Sequence, residues 1–350
     1  MAAGTNTGAP TLHDVAREAG VSLATASRVL NGSTRVVAEA YRDRVTLAAD
    51  RLGYTTNLSA QAVARGTSSI VALVVPDIAD PYFSQIAAGV TSEAEAAGLV
   101  VSVSVTGRDP ERELQVVRTL RGQRPRVLIL AGSRRTDDPV EAALATELAA
   151  YTSLGGTVSF IGSNQLGYAT TRVDNRTAAH ALGTSIAALG YRSSAAVVGP
   201  QFLVTSADRL GGFRDGLTEN GGRLDDAHVI VSEFSRDGGY LGTQRLIEAG
   251  LGGIDLVFAA SDVMAMGVMS ALRDAGLTPG EDVAVCGFDD IPTVRDVTPA
   301  LTTVRIPLEQ LGRTALRLAL GDADQASDTD ADASLDAEVV VRASTPALSR

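Results

Sequence analysis

Short apolar runs alternate with helical stretches from residue 70 onward, and this alternation limits the possible folds more than any other feature of the sequence. The runs are IVALVVP, LVVSVSV, RVLILAG, TVSFIG, SAAVVGP, DLVFAAS and DVAVCGFD, and helical patterns such as residues 84–97, 112–120, 176–189 and 265–275 separate them. Strands of this length that alternate with helices form parallel sheets covered on both faces. Seven runs are more than one small sheet usually takes, so we predict an α/β fold with two lobes.

The first 68 residues have a different pattern of apolar and polar residues. Residues 11–53 place apolar side chains at a spacing of three to four, which predicts helices with Thr11 and Ser22 as N-caps and Gly53 as the last stop. A further amphipathic helix is expected over 36–52. Residues 54–68 are small and polar, with too little apolar mass for a core. We therefore expect three segments: a helical domain at 1–55, a linker at 56–68, and a core at 69–350.

The composition excludes several classes of protein. The single cysteine, Cys286, rules out an internal disulfide framework, and its apolar neighbours predict a buried small side chain. No stretch approaches the roughly 18–20 apolar residues of a membrane span. The opening MAAGTNTGAP lacks the basic and apolar parts of a signal peptide. We expect a cytoplasmic protein without membrane contact.

The charge is unevenly distributed along the chain. The net charge is −11, yet residues 1–66 contain seven arginines against five acidic residues. A slightly basic module on an acidic body is compatible with local, weak affinity for DNA.

The stretch DVAREAGVSLATASRVLNG (14–32) has the layout of a helix-turn-helix. Gly20 can adopt the positive φ of the turn, and the second helix enters the major groove with its N-terminal residues. The hydroxyls of Thr25 and Ser27 suit phosphate oxygens, Arg28 suits guanine O6 and N7, and Leu23 can touch a thymine methyl. From the spacing alone, a helical bundle that contacts other proteins remains the alternative.

Longer blocks carry a family resemblance. TLHDVAREAGVSLATASRVLNGSTRVV, LVVPDIADPYF, ADRLGGFRDGL, FAASDVMAMGVMSALRDAGLTPGEDVAVCGFDD and PALTTVRIPLEQLG follow one another in this order. Together they closely resemble the lactose-repressor family of bacterial regulators. The resemblance implies a helix-turn-helix DNA-binding domain, a hinge helix at 56–68, and a two-lobed core like that of periplasmic binding proteins. It also implies a homodimer or a tetramer on a near-palindromic double-stranded operator, and the absence of leucine heptads after the last strand favours the homodimer.

The resemblance assigns the DNA contacts, with departures. In the hinge NLSAQAV (57–63) the family inserts a leucine into the minor groove, and Val63, which stands there, predicts a shallower kink or lower affinity unless it only packs the hinge. Ala26 replaces a valine of the core, and Val37 and Ala40 stand where Ser and Thr usually cap and begin the third helix. These departures predict that the helix-turn-helix domain (the headpiece) is only marginally folded without DNA. The expected DNA-binding residues are Thr11, Leu23, Ala24, Thr25, Ser27, Arg28, Asn31, Asn57, Ala60 and Val63.

Polar and aromatic residues that follow the apolar runs match family ligand positions. Aromatic rings lie against sugar faces, carboxylates accept from hydroxyls, and an arginine can bind ligand oxygens in a bidentate manner. The family usually has an acidic residue after TVSFI, whereas this chain has Gly162-Ser163-Asn164, so Asn164 is expected to take over the hydrogen bonding. A structural role at a strand end is the alternative for each. The expected effector-binding residues are Asp80, Tyr82, Phe83, Asn164, Arg209, Phe234, Ser261, Asp262 and Asp289.

The hypothesis is a sequence-specific DNA-binding regulator, expected to be a repressor. A small effector such as a sugar is expected to control its affinity for operator DNA. A sugar-binding protein of the periplasmic type without DNA function is the alternative. No enzyme is predicted, because the three histidines have no nucleophile motif beside them and no phosphate or dinucleotide loop is present. We expect no cofactor and no metal, and we interpret the acidic stretch 321–338 as a solvated loop.

Overall fold

The computed structural model describes residues 9–30, 37–55, 68–137, 139–321 and 332–348. The chain divides into two compact units, Met1–Ser68 and Ser69–Arg350. Each unit is described separately. In the described residues, no helix is both long enough and apolar enough to span a membrane.

The first unit contains the helices α1 (Leu12–Ala19), α2 (Leu23–Leu30) and α3 (Glu39–Leu52). Thr11 begins α1 with a reciprocal pair of hydrogen bonds to Asp14, and Gly20 ends it at φ 61°, as the sequence predicts. Ser22 Oγ accepts from the Thr25 amide at 3.1 Å, which caps α2. The three helices enclose a small core of Val15, Ala16, Ala19, Ala26, Val45, Ala48 and Ala49.

The third helix begins later than expected. Its first residue is Glu39 rather than residue 36, and Ala38 occupies the N-cap position without a side-chain hydrogen bond. The uncapped position is therefore Ala38, and neither Val37 nor Ala40 stands at the cap. Because alanine offers no acceptor, the first turn of α3 lacks a stabilisation of about 1 kcal/mol that serine or aspartate supplies.

The second unit is built from parallel strands and covering helices. Its described strands are β1 (Ile70–Val75), β2 (Val100–Val105), β3 (Val127–Ala131), β4 (Thr157–Ile161), β5 (Ala169–Arg172), β6 (Ser194–Val198), β7 (Val229–Val231), β8 (Leu256–Ala259), β9 (Ala284–Cys286), β10 (Thr303–Arg305), β11 (Asp332–Ser334) and β12 (Glu338–Val340). Its described helices are α4 (Pro81–Ala96), α5 (Pro110–Gln123), α6 (Glu141–Ser153), α7 (Asn175–Ala188), α8 (Val204–Glu219), α9 (Arg236–Ala249), α10 (Asp262–Asp274) and α11 (Leu308–Leu320).

Two parallel sheets define two lobes, which confirms the predicted fold. The first lobe has the strand order β11-β5-β4-β3-β1-β2 and the second has β7-β6-β8-β9, while β10 and β12 form a separate antiparallel pair. All seven apolar runs are strands, and Cys286 is buried in β9 as predicted.

The acidic stretch near the C-terminus contains structured parts that the sequence interpretation missed. Asp332–Ser334 form β11, which pairs with β5, and the Asp332 carboxylate accepts from the Thr170 amide at 3.1 Å. The solvated-loop prediction is therefore wrong for these three residues and for Glu338, which begins β12. Residues 322–331 lie outside the described part of the chain.

The chain crosses between the lobes three times: between β5 and α7, between β9 and α11, and after β11. Helix α11 returns to the first lobe and packs on α4, where Gly89 and Gly312 allow close approach of the two backbones. Ser159 in β4 also donates to the Ala315 carbonyl at 3.0 Å. The C-terminal segment then joins the second lobe, where Ser344 donates to the Val285 carbonyl at 2.6 Å. Both lobes therefore combine segments that are distant in the sequence.

Candidate functional site

The outer face of α2 carries most of the described DNA-contact candidates. Leu23, Ala24 and Arg28 are exposed, and Leu23 retains 38% of its accessible surface. Ala26, on the opposite face, is fully buried against α1 and α3. The helix therefore presents an apolar N-terminal end and one guanidinium to solvent.

The hydroxyl groups of this segment are less free than the sequence suggested. Thr25 Oγ1 lies 2.8 Å from Ser22 Oγ, so the two hydroxyls share a hydrogen bond at the start of α2. Ser27 is half-buried, and Thr11 is exposed while capping α1. The predicted contacts Asn31, Asn57, Ala60 and Val63 lie outside the described residues.

An arginine that the sequence analysis did not single out holds the turn. Arg44 of α3 donates to the carbonyls of Ala19 and Gly20, the second at 3.3 Å. A Cβ at position 20 would lie 2.6 Å from Arg44 Nη2, so the glycine serves both the positive φ and this contact. The angle between α1 and α2 is thus fixed from α3.

In the core unit, the carboxyl ends of strands from both lobes border a cavity of about 670 Å³, a volume that includes space continuous with solvent. We call it the main cavity. Ligands of open α/β sheets bind beyond these strand ends. Six of the nine predicted effector residues line it: Asp80, Tyr82, Phe83, Arg209, Phe234 and Asp289. Residues that the sequence analysis missed also line it, among them Arg108, Ser133, Thr171, Arg172, Asn175 and Thr205.

A buried ion pair forms one wall of the main cavity. Arg209 on α8 lies 2.8 Å from a carboxylate oxygen of Asp289, with side-chain exposures of 3% and 5%. Arg209 also donates to Asn175 Oδ1 at 2.9 Å and to the Ala260 carbonyl at 2.8 Å, and its guanidinium lies 4.0 Å from the centre of the Phe288 ring. These contacts fix the guanidinium while leaving N–H groups unassigned for a ligand.

Burial changes the protonation of the acidic groups in this wall. Burial raises the pKa of Asp289 to about 8, despite the opposing effect of Arg209. Burial also raises the pKa of Asp80, against the hydrogen bond from the Tyr82 amide and the charge of Arg108. A carboxyl group that is easily protonated can donate as well as accept, which suits a ligand with hydroxyl groups.

Another part of the lining combines aromatic rings with a second arginine. Arg108 follows β2 in a left-handed conformation, φ 62°, and its guanidinium lies 5.8 Å and 5.2 Å from the ring centres of Phe83 and Phe234. The nearest acidic group is Asp80, at 3.7 Å. A non-glycine residue at positive φ is uncommon and strained, and such residues cluster at ligand sites.

Three of the predicted effector residues do not reach the main cavity. Asn164 is held in its own loop, where it accepts from the Leu166 amide at 2.7 Å and donates to the Tyr168 carbonyl at 3.0 Å. Ser261 caps α10. The Asp262 carboxylate accepts from the Ile291 amide at 2.9 Å and from Thr303 Oγ1 at 2.6 Å. Each therefore has the structural role that the sequence analysis left as its alternative.

The main cavity offers paired donors and acceptors beside aromatic surface. This combination is chemically suited to a small molecule with several hydroxyl groups and apolar C–H faces. In the described residues, no cluster of three or more histidine, cysteine, aspartate or glutamate side chains could hold a metal ion.

Each of the two units contains a segment that matches a known protein family. Residues 11–57 match the family described as "Bacterial regulatory proteins, lacI family", and residues 185–345 match a periplasmic binding protein-like domain. The transcriptional regulator CelR of Thermobifida fusca is 33% identical over 88% of this chain and 90% of its own length. The transcriptional repressor CytR of Escherichia coli (strain K12) is 30% identical over 97% of both chains.

Solved structures of related transcription regulators resemble this chain over nearly its whole length. A CelR–cellobiose complex is 29% identical, with a TM-score of 0.68 over 96% of this chain and 99% of that one. The lac repressor dimer bound to operator and the anti-inducer ONPF is 28% identical, with a TM-score of 0.79 over 97% and 100%.

Proposed function

This chain belongs to the lacI family of bacterial regulatory proteins and is a DNA-binding transcription regulator, and we propose that a sugar bound in the main cavity controls its affinity for operator DNA. The observation that carries the proposal is the combination, in one chain, of an exposed helix-turn-helix face and a cavity with a buried Arg209–Asp289 pair. A sugar-binding protein without DNA function has no use for the first of these. The proposal includes no catalytic step and places the protein in the cytoplasm, where operator DNA is found.

For DNA, we propose that α2 enters the major groove. The short Ala24 side chain lets the helix lie deep, and Leu23 contacts a thymine methyl. Arg28 then supplies the hydrogen-bonded base readout, while Thr11, Thr25 and Ser27 contact phosphates. The hinge candidates Asn57, Ala60 and Val63, together with Asn31, complete the proposed interface.

For the effector, we propose a sugar whose hydroxyls contact Arg209 and Asp289 and whose ring lies against Phe83 or Phe234. Cellobiose is the natural first probe, since the related CelR forms a complex with it. Asp80 and Tyr82 complete this side of the proposed site.

We propose that the protein acts as a homodimer on a near-palindromic operator. The related lac repressor is a dimer on its operator. Exposed apolar side chains support a self-contact: Val100 and Val103 on the edge strand β2 retain 62% and 41% of their surface, and Val231 and Leu241 retain 44% and 55%.

The proposed control is a population shift between two arrangements of the lobes. Residues 133–136 and 202–205 connect the lobes directly: the Thr136 amide donates to the Phe202 carbonyl at 2.9 Å, and the Val204 amide to the Arg134 carbonyl at 3.1 Å. The Thr205 amide also donates to Ser133 Oγ at 3.0 Å, and both of these residues line the main cavity. A ligand in the cavity therefore contacts both sides of this junction and stabilises one arrangement.

The test uses the full-length protein and an operator selected from a random DNA pool. Fluorescence anisotropy measures operator affinity with and without a sugar that raises the melting temperature of the protein. We expect that sugar to change operator affinity at least about fivefold, a coupling typical of allosteric proteins. Phe234→Ala should retain operator binding and lose the response, whereas Leu154→Ala, on a half-exposed side chain away from the cavity, should behave as the wild type. An operator affinity that no stabilising sugar changes contradicts the proposal.

A further inference from the structure

A second cavity of about 460 Å³, which again includes space continuous with solvent, adjoins the main one. We call it the side compartment. The two cavities share four residues, Arg108, Gly132, Ser133 and Leu203. They are therefore neighbouring spaces separated by little more than these side chains. The remaining lining residues of the side compartment are Pro76, Thr106, Pro110, Glu113, Arg134 and Arg135.

Arg108 is the charged side chain of the shared wall. Its closest charged contact is Asp80 at 3.7 Å, its ring contacts exceed 5 Å, and none of the described residues accepts a hydrogen bond from it. Its N–H groups can therefore donate to a ligand in either cavity. A ligand that spans both cavities would pass along this side chain.

The lining of the side compartment has the chemistry of a sugar site. Arg134 forms a bidentate salt bridge with Glu113, in which both N···O distances are 2.8 Å. Donors and an acceptor are therefore held rigidly together. The buried Nε atoms of Arg134 and Arg135 have no acceptor among the described residues. Pro76, Pro110 and Leu203 add C–H surface. Sugar units present hydroxyl oxygens and C–H faces that match both parts of this lining.

We propose that the side compartment is a second sugar subsite, so that the effector is a disaccharide or a longer oligosaccharide with one unit in each cavity and Arg108 beside the junction. This inference rests on the proposed function, because it assumes that the effector is a sugar. Arg134 and Glu113 bind the second unit, and the first unit lies against Phe83 and Phe234. Because Ser133, Arg134 and Leu203 belong to the inter-lobe junction, the second unit also contacts the segments that connect the lobes.

The test compares disaccharides with their own monosaccharides on the full-length protein by isothermal titration calorimetry. The probes are glucose, cellobiose and maltose; galactose, lactose and melibiose; and xylose and xylobiose. We expect at least one disaccharide to bind about tenfold or more tightly than either of its component sugars, as one or two additional hydrogen bonds to charged groups provide.

Two variants locate the second unit. Pro110→Trp fills the side compartment and should remove the preference for the disaccharide while monosaccharide affinity stays within about twofold. Glu113→Gln keeps the shape of the side chain but loses the bidentate contact with Arg134, and it should reduce the preference for the disaccharide at least threefold. This variant tests the second subsite even if Pro110→Trp does not fold. Leu154→Trp, which introduces the same side chain at an exposed position, should leave both affinities unchanged.

The outcomes separate this inference from the function on which it rests. If a monosaccharide is the tightest ligand, or if folded Pro110→Trp retains the disaccharide preference, the second subsite is wrong and the sugar effector stands. If no sugar in the panel binds, the sugar effector is itself wrong, and the second subsite with it.

Discussion

The protonation state of Asp289 depends on its burial and on the charge of Arg209. It lies at φ 123° on the cavity wall, where only Arg209 compensates its carboxylate at close range. Removing Arg209 would take away the cation that opposes the rise in the Asp289 pKa, and would leave the buried Ala260 carbonyl without this donor, which costs about 1–3 kcal/mol. We therefore expect Arg209 to support the fold as well as the ligand.

The raised pKa of Asp289 predicts how stability depends on pH. The carboxyl titrates near 4 in the unfolded chain and, because of burial, at about 8 in the folded one. The folded state therefore holds the proton more tightly, and the stability that follows is complete below pH 4 and is lost as the pH rises toward 8.

We expect the melting temperature of the core to fall between pH 6 and pH 8, with a free-energy change on the order of 1 kcal/mol per pH unit from this group. Asp289→Asn should show a shallower dependence in thermal unfolding. Asp296→Asn, which changes an exposed carboxylate, should keep the wild-type slope. Equal slopes for all three proteins would mean that Asp289 is ionised throughout this range.

Arg28 supplies a test at the DNA face. It is exposed at the outer side of α2 and no carboxylate pairs with it among the described contacts. Arg28→Ala should weaken binding to the selected operator by about 1–3 kcal/mol while changing binding to random DNA far less, measured by anisotropy at fixed salt. Arg51→Ala, at the end of α3, should show no such loss of specificity. Effector binding should be unchanged in both variants.

Among the elements, the contact between α4 and α11 depends on two glycines. A Cβ at Gly312 would overlap the Ile86 carbonyl oxygen, and one at Gly89 would overlap the Glu309 backbone. Neither neighbour can yield, because both are backbone atoms in packed helices. The two helices therefore approach more closely than any side chain allows.

A matched pair of substitutions isolates this effect. Gly312→Ala should destabilise the core by about 1–3 kcal/mol, since it forces the helices apart. Gly122→Ala, in an exposed position of α5 with no atom near the new methyl group, should stabilise the protein by about 1 kcal/mol through helix propensity alone. Thermal unfolding of the two variants should give shifts of opposite sign, and shifts of the same sign would exclude the packing argument.

The elements that the sequence did not reveal share a physical reason. The strands β5 (ATTR), β7 (VIV), β10 (TVR) and β11 (DAS) have only three or four residues, so each is too short to recognise alone and is defined by the strand with which it pairs. The seven apolar runs were recognisable because their burial needs no knowledge of the partner. Helix ends set by Thr11, Gly20, Ser22 and Gly53 were equally recognisable, since capping is local.

The site was only partly predictable for the same reason. Asp80, Phe83 and Asp289, which follow strands, line the main cavity. Position after a strand could not separate them from Ser261, which caps α10, or from Asp262, which accepts from Ile291 and Thr303. Arg108 was missed because it reaches the cavity only through a turn at positive φ after an edge strand. The polar pattern of that strand gave no signal.

At the scale of the whole molecule, the exposed apolar side chains Val231 and Leu241 support the proposed dimer. Leu241→Glu should weaken self-association and reduce operator affinity by about a factor of 100 or more, because two linked headpieces bind far more tightly than one. Analytical ultracentrifugation and anisotropy measure the two effects. Leu154→Glu, another exposed leucine, should change neither. A dimer that survives Leu241→Glu would place the interface elsewhere.

The three crossings of the chain between the lobes have a consequence for synthesis. The first lobe needs β11 at its edge, and the second needs Ser344 and its bonds to Val285 and Thr302. Neither lobe can be completed while residues 332–348 are still within the ribosome, whereas the helices of the N-terminal unit use only local segments. The growing chain thus carries a DNA-binding unit before its core is complete, and the nascent protein needs residues 332–348 before an effector can act on it.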